Sequence, residues 1–393
     1  MVYLDNNSTT PMDEKVKEVY CKATELFGNV NVIYQLGIDA RKAMNEAYDV
    51  LYPGIGAADE DDIIITSSTS EGNNTIIKTF LDAFLKGSGK KHVITTVSEH
   101  SSIKAPLAYA KTFGMEVTYL YTDENGRINP QELENAIRED TALISVLFAS
   151  NESGAIQPIK EIGEIARKHN IPFHCDGAQA IGKVKVNVRD LGVDYFTFGA
   201  HKFHGPKGVG ALYVREGAPY VNLIHGGNQM GGKRGGSVYL NGMIAMAEAL
   251  KLANEHLDEM HSRVMKLRDK LEAAILQIPD TKSYVDKKYR LPNTVVASFR
   301  GIEGESMLWD LNVNGIYAAT GSSCSSERLE GSEVLEALGE DPEIAHTGII
   351  FSLSRFTTEK EINYVIEKLP GIVERLRGIS MTYAKVKPEK IEN

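Results

Sequence analysis

Cysteine is scarce in this sequence: three in 393 residues, at positions 21, 175 and 324. Cys21, Cys175 and Cys324 cannot make a disulfide framework, and they lack the paired spacing of a metal site. No apolar run reaches the eighteen or so residues that a membrane span requires. Met1-Val2-Tyr3-Leu4-Asp5 has neither the basic nor the apolar region of a secretory leader. Lys and Arg number 43 against 53 Asp and Glu, a formal net charge of -10. That balance argues against nucleic acid or an anionic membrane as the main partner. The expected location is the cytoplasm. What is present is ordinary for a globular protein, 42% hydrophobic and 24% charged residues, in a chain long enough to divide into two domains.

From residue 62 the chain alternates apolar strand-like runs with helical periodicity, the pattern of a mainly parallel sheet covered on both faces. Strands are predicted at Asp62–Thr66, His92–Thr96, Glu116–Leu120, Ala142–Ala149, Pro172–Asp176, Tyr195–Gly199 and Gly210–Val214. Helices are predicted near Glu71–Lys86, Ser101–Phe113, Asn129–Arg138, Ile159–His169 and Val188–Leu191. Two earlier helices, Asp13–Phe27 capped by Asp13 and Gly37–Tyr52, precede them. From Asn241 the texture changes. Leu257, Met260, Val264, Leu267, Leu271 and Ile275 recur at helical spacing and predict one long amphipathic helix. Strands Thr294–Arg300 and Gly348–Leu353 then alternate with helices Gly304–Asn312 and Glu359–Arg377, a smaller α/β unit. The expected division is a large domain over 13–255 and a small one built from 1–12 and 256–393.

In open α/β sheets, ligands bind beyond the carboxyl ends of the strands, so the residues that close each strand belong together. Phe198-Gly199-Ala200-His201-Lys202-Phe203-His204-Gly205-Pro206-Lys207-Gly208 links two apolar runs. A Lys there, flanked by His and aromatics, is poorly placed to be solvated, and a desolvated amine can condense with an aldehyde. Asp176 closes another strand, with Gln179 three residues on. It could pair with a pyridine nitrogen, or cap a helix. His100 follows a third strand, as a flat ring able to move protons near neutral pH or as a helix-start histidine. Thr66-Ser67-Ser68-Thr69-Ser70-Glu71 offers hydroxyls and helix N–H groups to a phosphate, although a capping box between Ser68 and Glu71 explains the same letters. Asn151 closes a central strand and could reach a ring hydroxyl.

Of the cysteines, Cys324 lies among small polar residues, Gly321-Ser322-Ser323-Cys324-Ser325-Ser326, and is the best nucleophile candidate. Cys21 is expected in the core of its helix, and Cys175 inert on a buried strand.

Taken in order, these pieces resemble the fold-type-I pyridoxal-phosphate (PLP) enzymes of the class V aminotransferase family, and more closely the cysteine desulfurases of the NifS/IscS type. The likeness spans almost the whole chain. It runs from Tyr3-Leu4-Asp5-Asn6-Asn7-Ser8-Thr9-Thr10-Pro11 through Glu99-His100, Asn151-Glu152-Ser153-Gly154, Asp176-Gly177-Ala178-Gln179 and His201-Lys202. It continues through Arg234-Gly235-Gly236-Ser237 and Gly321-Ser322-Ser323-Cys324 to Ser352-Leu353-Ser354-Arg355-Phe356-Thr357-Thr358. The resemblance implies that Lys202 binds the PLP aldehyde, Asp176 pairs with the pyridine nitrogen, Gln179 meets the ring hydroxyl, and His100 stacks on the ring as acid/base. Asn151 would sit beside the cofactor. Thr69, Ser70 and His201 would hold the phosphate beside Gly199, with Ser237 reaching in from the partner of a homodimer. Cys324 would take sulfur from L-cysteine as a persulfide, releasing L-alanine, for an iron–sulfur scaffold or another sulfur acceptor.

The sequence also departs from that family. Thr69 and Ser70 stand for the usual Ala and Thr, and Gly199 for a Ser that touches phosphate. Asn29-Val30-Asn31-Val32-Ile33-Tyr34 replaces an Asn-Pro-Ser-Ser run ending in His. Ile350 stands where the family has an Arg that grips the substrate carboxylate, a bidentate contact that an alkyl chain cannot make. Arg355 matches a second, structural Arg. Ile350 is the ground for an alternative: a related PLP-dependent lyase or aminotransferase of altered substrate. A sulfur-transfer docking platform is a third reading, opposed by the intact Lys202, Asp176, Gln179 and His100.

Overall fold

The computed structural model describes residues 1–321, 332–381 and 383. A short β1 (Val2–Tyr3) precedes α1 (Glu14–Ala23) and α2 (Gln35–Ile55). Strand and helix then alternate through β2 (Asp62–Thr66), α3 (Thr69–Leu85), β3 (His92–Thr96), α4 (Ser101–Lys111), β4 (Glu116–Leu120) and α5 (Pro130–Asn135). The series continues with β5 (Thr141–Leu147), α6 (Ile159–Lys168), β6 (Phe173–Asp176), α7 (Val188–Leu191), β7 (Tyr195–Gly199) and β8 (Gly210–Val214). These strands form a seven-stranded sheet in the order β2-β8-β7-β6-β5-β3-β4. Only the pairings of β8 are antiparallel. The expected large, mainly parallel sheet is therefore present, and every residue of β3, β5, β6 and β7 is buried. Burial on both faces explains why these strands read as unbroken apolar runs rather than as alternation.

After α8 (Leu240–Glu255) the chain passes through α9 (Leu257–Glu259), a π-helical turn at Met260–Val264 and α10 (Met265–Ile275). The single helix expected over 257–275 thus carries a π-turn, which shifts the helical phase between its apolar positions. Strands β9 (Thr281–Ser283), β10 (Thr294–Phe299), β11 (Ile316–Tyr317), β12 (Ala319–Thr320) and β13 (Gly348–Ser352) follow, with helices α11 (Gly304–Val313), α12 (Glu333–Ala337), α13 (Pro342–Ala345) and α14 (Glu359–Ile379). The second sheet is antiparallel, in the order β12-β13-β10-β9. Its apolar core gathers Leu271, Phe299, Phe351 and Leu369 together with Val2 and Leu4, because β1 pairs in parallel with β11. The chain start is thereby built into the second core, and the next residues run back to the first sheet.

Local chemistry explains the shifted helix ends. α1 stops at Ala23 rather than Phe27 because the Thr24 hydroxyl bonds the Cys21 carbonyl at 2.6 Å and Thr24 N–H takes the same oxygen. α2 runs through Pro53 and ends at Gly56, whose left-handed φ of 71° suits glycine. Cys21 is exposed, contrary to expectation. The buried face of α1 is set by Val16 and Ala23, one heptad apart, and Cys21 falls outside that stripe. Cys175 is fully buried, and burial raises its thiol pKa well above the ordinary value.

One close approach fixes the end of β6. Gly177 donates its N–H to the Thr197 carbonyl at 2.8 Å, and a Cβ on it would lie 2.0 Å from Phe196 Cζ. Phe196 is itself fully buried and cannot yield freely. Gly177→Ala is expected to cost about 1–3 kcal/mol through overpacking; equilibrium urea unfolding, with the melting temperature alongside, checks it.

Candidate active site

Asn7 stands where the two sheets meet the end of β7. Its backbone N–H bonds Ser352 Oγ at 2.9 Å, and its Nδ2 donates to the Asn151 carbonyl and to Thr294 Oγ1. Its Oδ1 accepts from Asn293 Nδ2 and Lys183 Nζ, and its carbonyl from Gln179 Nε2. Lys202 completes the set: its Nζ donates to the carbonyls of Asn7 at 2.7 Å and Ser8 at 2.8 Å. Lys183 is buried and also bonds Gln179 Oε1. Burial, and then the neighbouring Lys202, push its amine pKa well below the usual value. Two amines and an amide from the turns after β6 and β7 therefore converge on one asparagine.

The carboxyl ends of β3 and β6 supply the next group. Asp176 Oδ1 accepts from Ala178 N–H at 2.9 Å, a local turn rather than a helix cap, and Oδ2 accepts from Asn73 Nδ2 at 2.7 Å. His100 is the N-cap of α4. Its Nδ1 accepts the Ser102 N–H at 3.1 Å and faces Ser102 Oγ at 2.8 Å, which assigns the ring proton to Nε2. Burial lowers the His100 pKa, with Lys202 and Lys104 adding to it and Asp176 opposing. The helix-start and ligand readings of His100 are compatible, since capping uses only one ring nitrogen.

Glu99, beside His100, is buried. Its Oε1 accepts from Leu147 N–H and Thr96 Oγ1, while among the described residues Oε2 has no hydrogen-bond partner. Burial is the main cause that raises its pKa to about 8. A neutral carboxylic acid between β3 and β5 is the state that this burial permits at pH 7.

The turn before α3 brings hydroxyls to the same edge. Ser68 Oγ caps the helix through Glu71 N–H at 3.2 Å. The expected reciprocal capping box is absent: the Glu71 carboxylate takes the Ser67 N–H and a two-point ion pair from Arg234. This keeps Glu71 below the usual carboxylate range despite its burial. Thr69 and Ser70 open the first turn, whose N–H groups have no carbonyl within the helix. A Cβ on Gly199 would stand 2.8 Å from Thr69 Oγ1 and 3.7 Å from Thr69 N, so the absence of a side chain lets β7 pass close to this turn. His201 Nδ1 faces Thr9 Oγ1 at 3.1 Å, and burial and Lys202 lower its pKa to about 4.

Lys202, His201, Gly199, Asp176, Gln179, Asn151, His100, Thr69 and Ser70 thus all lie at the carboxyl ends of the large sheet or in the turns that follow. Gln179 spends both ends of its amide on Asn7 and Lys183. Ser237 is exposed, three residues beyond Arg234, and makes no hydrogen bond to these groups among the described residues. Cys324 lies outside the described residues. Arg355 pairs with Asp13 and stacks on Phe356, a structural use. Ile350 is buried between Val296 and Ala319 on neighbouring strands. By strand alternation it shares a face with Ser352, the residue bonded to Asn7. Sequence reasoning missed Asn73, Lys183 and the central role of Asn7. The first two follow named motif residues at helical spacing, Thr69 by four and Gln179 by four, which is the signal that could have found them.

The class-V aminotransferase family model matches residues 2–365, and the chain belongs to that family. Within it, the chain is 43% identical over 380 residues to the cysteine desulfurase IscS of Methanosarcina thermophila, covering 96% of this chain and 93% of that one. A solved NifS-like protein superposes with a TM-score of 0.89 at 36% identity, over 95% of this chain and all of the other. A structure of SspA in complex with cysteine has a TM-score of 0.80 at 29% identity, over 91% of this chain. The family implies a PLP cofactor. The donor set fits one, with a Lys amine, a strand-end carboxylate, an imidazole and the hydroxyls of a helix start available for the aldehyde, the pyridine nitrogen, the ring and the phosphate respectively.

The Glu99 carboxyl gives a pH test. Its pKa of 4.5 in the unfolded chain rises to about 8 in the fold. The wild type should therefore lose stability as pH rises from 4.5 towards 8, by at most about 1.4 kcal/mol per pH unit from this group. Glu99→Gln should remove that slope. Urea unfolding of both proteins at pH 5 and pH 8 checks it; an equal difference at both pH values would show that Glu99 ionises normally.

Proposed function

We propose that this protein is a cysteine desulfurase that converts L-cysteine into L-alanine and leaves the sulfur as a persulfide on Cys324. The observation that carries the reading is the convergence of Lys202, Asp176 and His100 on one sheet edge, in a chain that matches proteins named cysteine desulfurase over nearly its whole length. The SspA structure with bound cysteine supports the substrate. Bound PLP would supply an electron sink for cleavage at the substrate's β-carbon. Lys202 would be the amine for its aldehyde, and Asp176 would pair with its pyridine nitrogen. His100, kept neutral, would lie against the ring and move protons through Nε2. Thr69, Ser70 and His201 would receive the phosphate beside Gly199, while Asn151 and Gln179 would serve the ring hydroxyl. Cys324 accepts the sulfur: the substrate's C–S bond breaks, its carbon takes a proton to become alanine, and the substrate and Cys324 thiols end as one persulfide on the protein.

Ile350 does not redirect this reading to another lyase or to an aminotransferase, because the chain's similarity to named desulfurases extends across 96% of its length. The same reading makes the protein a cytoplasmic homodimer in which Ser237 completes the partner's phosphate site, and which passes sulfur to an iron–sulfur scaffold or another acceptor. It also divides the chain into a PLP-binding domain over 13–255 and a small domain of 1–12 and 256–393. The separate apolar cluster of Val2, Leu4 and residues 260–376 supports that division.

Alanine and sulfide release from L-cysteine tests the activity, and its absence at every cysteine concentration would overturn it. Cys324→Ser should abolish sulfur transfer while leaving PLP bound. Lys202→Ala should remove the visible absorbance of the bound cofactor, whereas Lys183→Met should keep it; the reverse result would move the anchor to Lys183. Ile350 pairs with Ala319, two residues before Gly321, so a cation introduced there lies beside the segment that leads to Cys324. Ile350→Arg is expected to lower KM for L-cysteine about tenfold, as one charged hydrogen bond is worth. An unchanged KM would remove Ile350 from the substrate site.

A further inference from the structure

Below Asp176 a row of polar side chains runs into the core of the sheet. Ser145 on β5 is the register partner of His174 on β6, and Asp176 is that of Thr197 on β7. Alternation along β6 puts His174 and Asp176 on one face. α3 packs on that face, and a Cβ on Gly72 would stand 2.7 Å from the Thr197 methyl. The missing side chain lets Asn73, the next residue, reach Asp176. Ser145, His174, Thr197 and Asn73 are all fully buried.

The direction of every hydrogen bond in this row is determined. Asn73 Nδ2 donates to Asp176 Oδ2 at 2.7 Å and to Ser102 Oγ at 2.9 Å, so its Oδ1 is an acceptor. Thr197 Oγ1 spends its one hydrogen on that Oδ1, at 2.6 Å. Towards His174 Nε2, 3.3 Å away, the same Thr197 oxygen is therefore the acceptor, which assigns the imidazole proton to Nε2. His174 Nδ1 is left to accept from Ser145 Oγ at 2.9 Å. Each donor points towards Asp176, and the last of them meets a carboxylate. Burial alone lowers the His174 pKa to about 3, so the ring is neutral and the row keeps this polarity. Ser102 Oγ, the second acceptor of Asn73, in turn faces His100 Nδ1.

We propose that His174 is a positioning residue for the cofactor site, fixing through Thr197 and Asn73 the donor that aims the Asp176 carboxyl group. This rests on the reading of Asp176 as the partner of a pyridine nitrogen. A reversed Asn73 amide would set its oxygen against the Asp176 carboxylate and against Ser102. The core histidine excludes that state from two hydrogen bonds away, through Thr197. The titratable groups that interact with Asp176 include His100, Glu99 and, next to it on β6, Cys175. Neither His100 nor Glu99 hydrogen-bonds His174, whose ring partners are Ser145 and Thr197.

The test uses the full chain stripped of cofactor and titrated with PLP. It reads the dissociation constant and the pH at which the bound chromophore changes its visible spectrum. Thr197→Val keeps the volume and the β-branched shape but deletes the donor to Asn73. It is expected to weaken PLP binding about tenfold and to move the spectral transition. His174→Phe should behave likewise. His174→Gln, which keeps an N–H where Nε2 stood, should stay within about threefold of wild type. If His174→Phe fails to fold, Thr197→Val still decides the matter. Wild-type chain that takes up no PLP would overturn the cofactor reading and this inference with it. Wild-type uptake with Thr197→Val matching it in affinity and in spectral transition would overturn this inference alone.

Discussion

The Asn7 side chain and its two flanking peptide groups hold the chemistry of this protein in one place. No other described residue joins both sheets to the Lys202 amine in this way. Its donors go to the Asn151 carbonyl and to Thr294, its acceptors take Lys183, Asn293, Gln179 and Lys202, and its N–H meets Ser352. An amide is suited to this because it offers donors and acceptors in one planar group. An aspartate would lose both Nδ2 donors, and a leucine would leave Lys183 buried without its Oδ1 acceptor. A buried polar group stripped of a partner costs the fold its desolvation penalty, about 1–3 kcal/mol. The first turn of the chain, which reads on paper as a polar loop, is thus part of the interior.

That junction depends on β1. The strand is two residues long, yet Val2 and Leu4 enter the second core and the Leu4 carbonyl takes the Ser352 N–H at 2.7 Å. The apolar anchor sets where Asn6 to Thr10 can run. His201 and His204 then bond Thr9, Thr10 and Pro11 from the other side, closing the segment over the Lys202 turn. The order of causation is therefore packing first, hydrogen bonds second, and amine placement last.

Much of this was legible before any coordinates. The seven strands of the large sheet fell within about two residues of their expected places, because buried parallel strands leave unbroken apolar runs. Their closing residues, Asp176, His100, Asn151 and Lys202, could be grouped because parallel strands end on one edge. Cys21 was misjudged since composition alone does not give the phase of a ten-residue helix; Val16 and Ala23 do. The capping box at Ser68 was half right, as Arg234, 163 residues away in sequence, claims the Glu71 carboxylate. Asn73 and Lys183 were passed over for the same reason. Their meaning lies in partners more than 100 residues distant, Asp176 for one and Asn7 for the other; the four-residue spacing from Thr69 and Gln179 marks them as neighbours of the motif without naming those partners.

The buried polar groups around the site have a common logic. Glu99 is pushed towards its neutral acid, Lys183 towards its neutral amine, and His174 and His201 towards neutral imidazole. In each, desolvation is the largest cause, and it disfavours whichever form carries charge. Among them, Asp176 is held in place by two donors, Asn73 Nδ2 and the Ala178 N–H. Glu71, the other carboxylate at this edge, is already matched by Arg234, which leaves Asp176 to define the electrostatics at the ring. An electropositive ring nitrogen placed there has a single strong partner rather than several competing ones, and the interaction is stronger for being in a low-dielectric setting. The neutral surroundings are then as much a part of that partner's strength as the carboxylate itself.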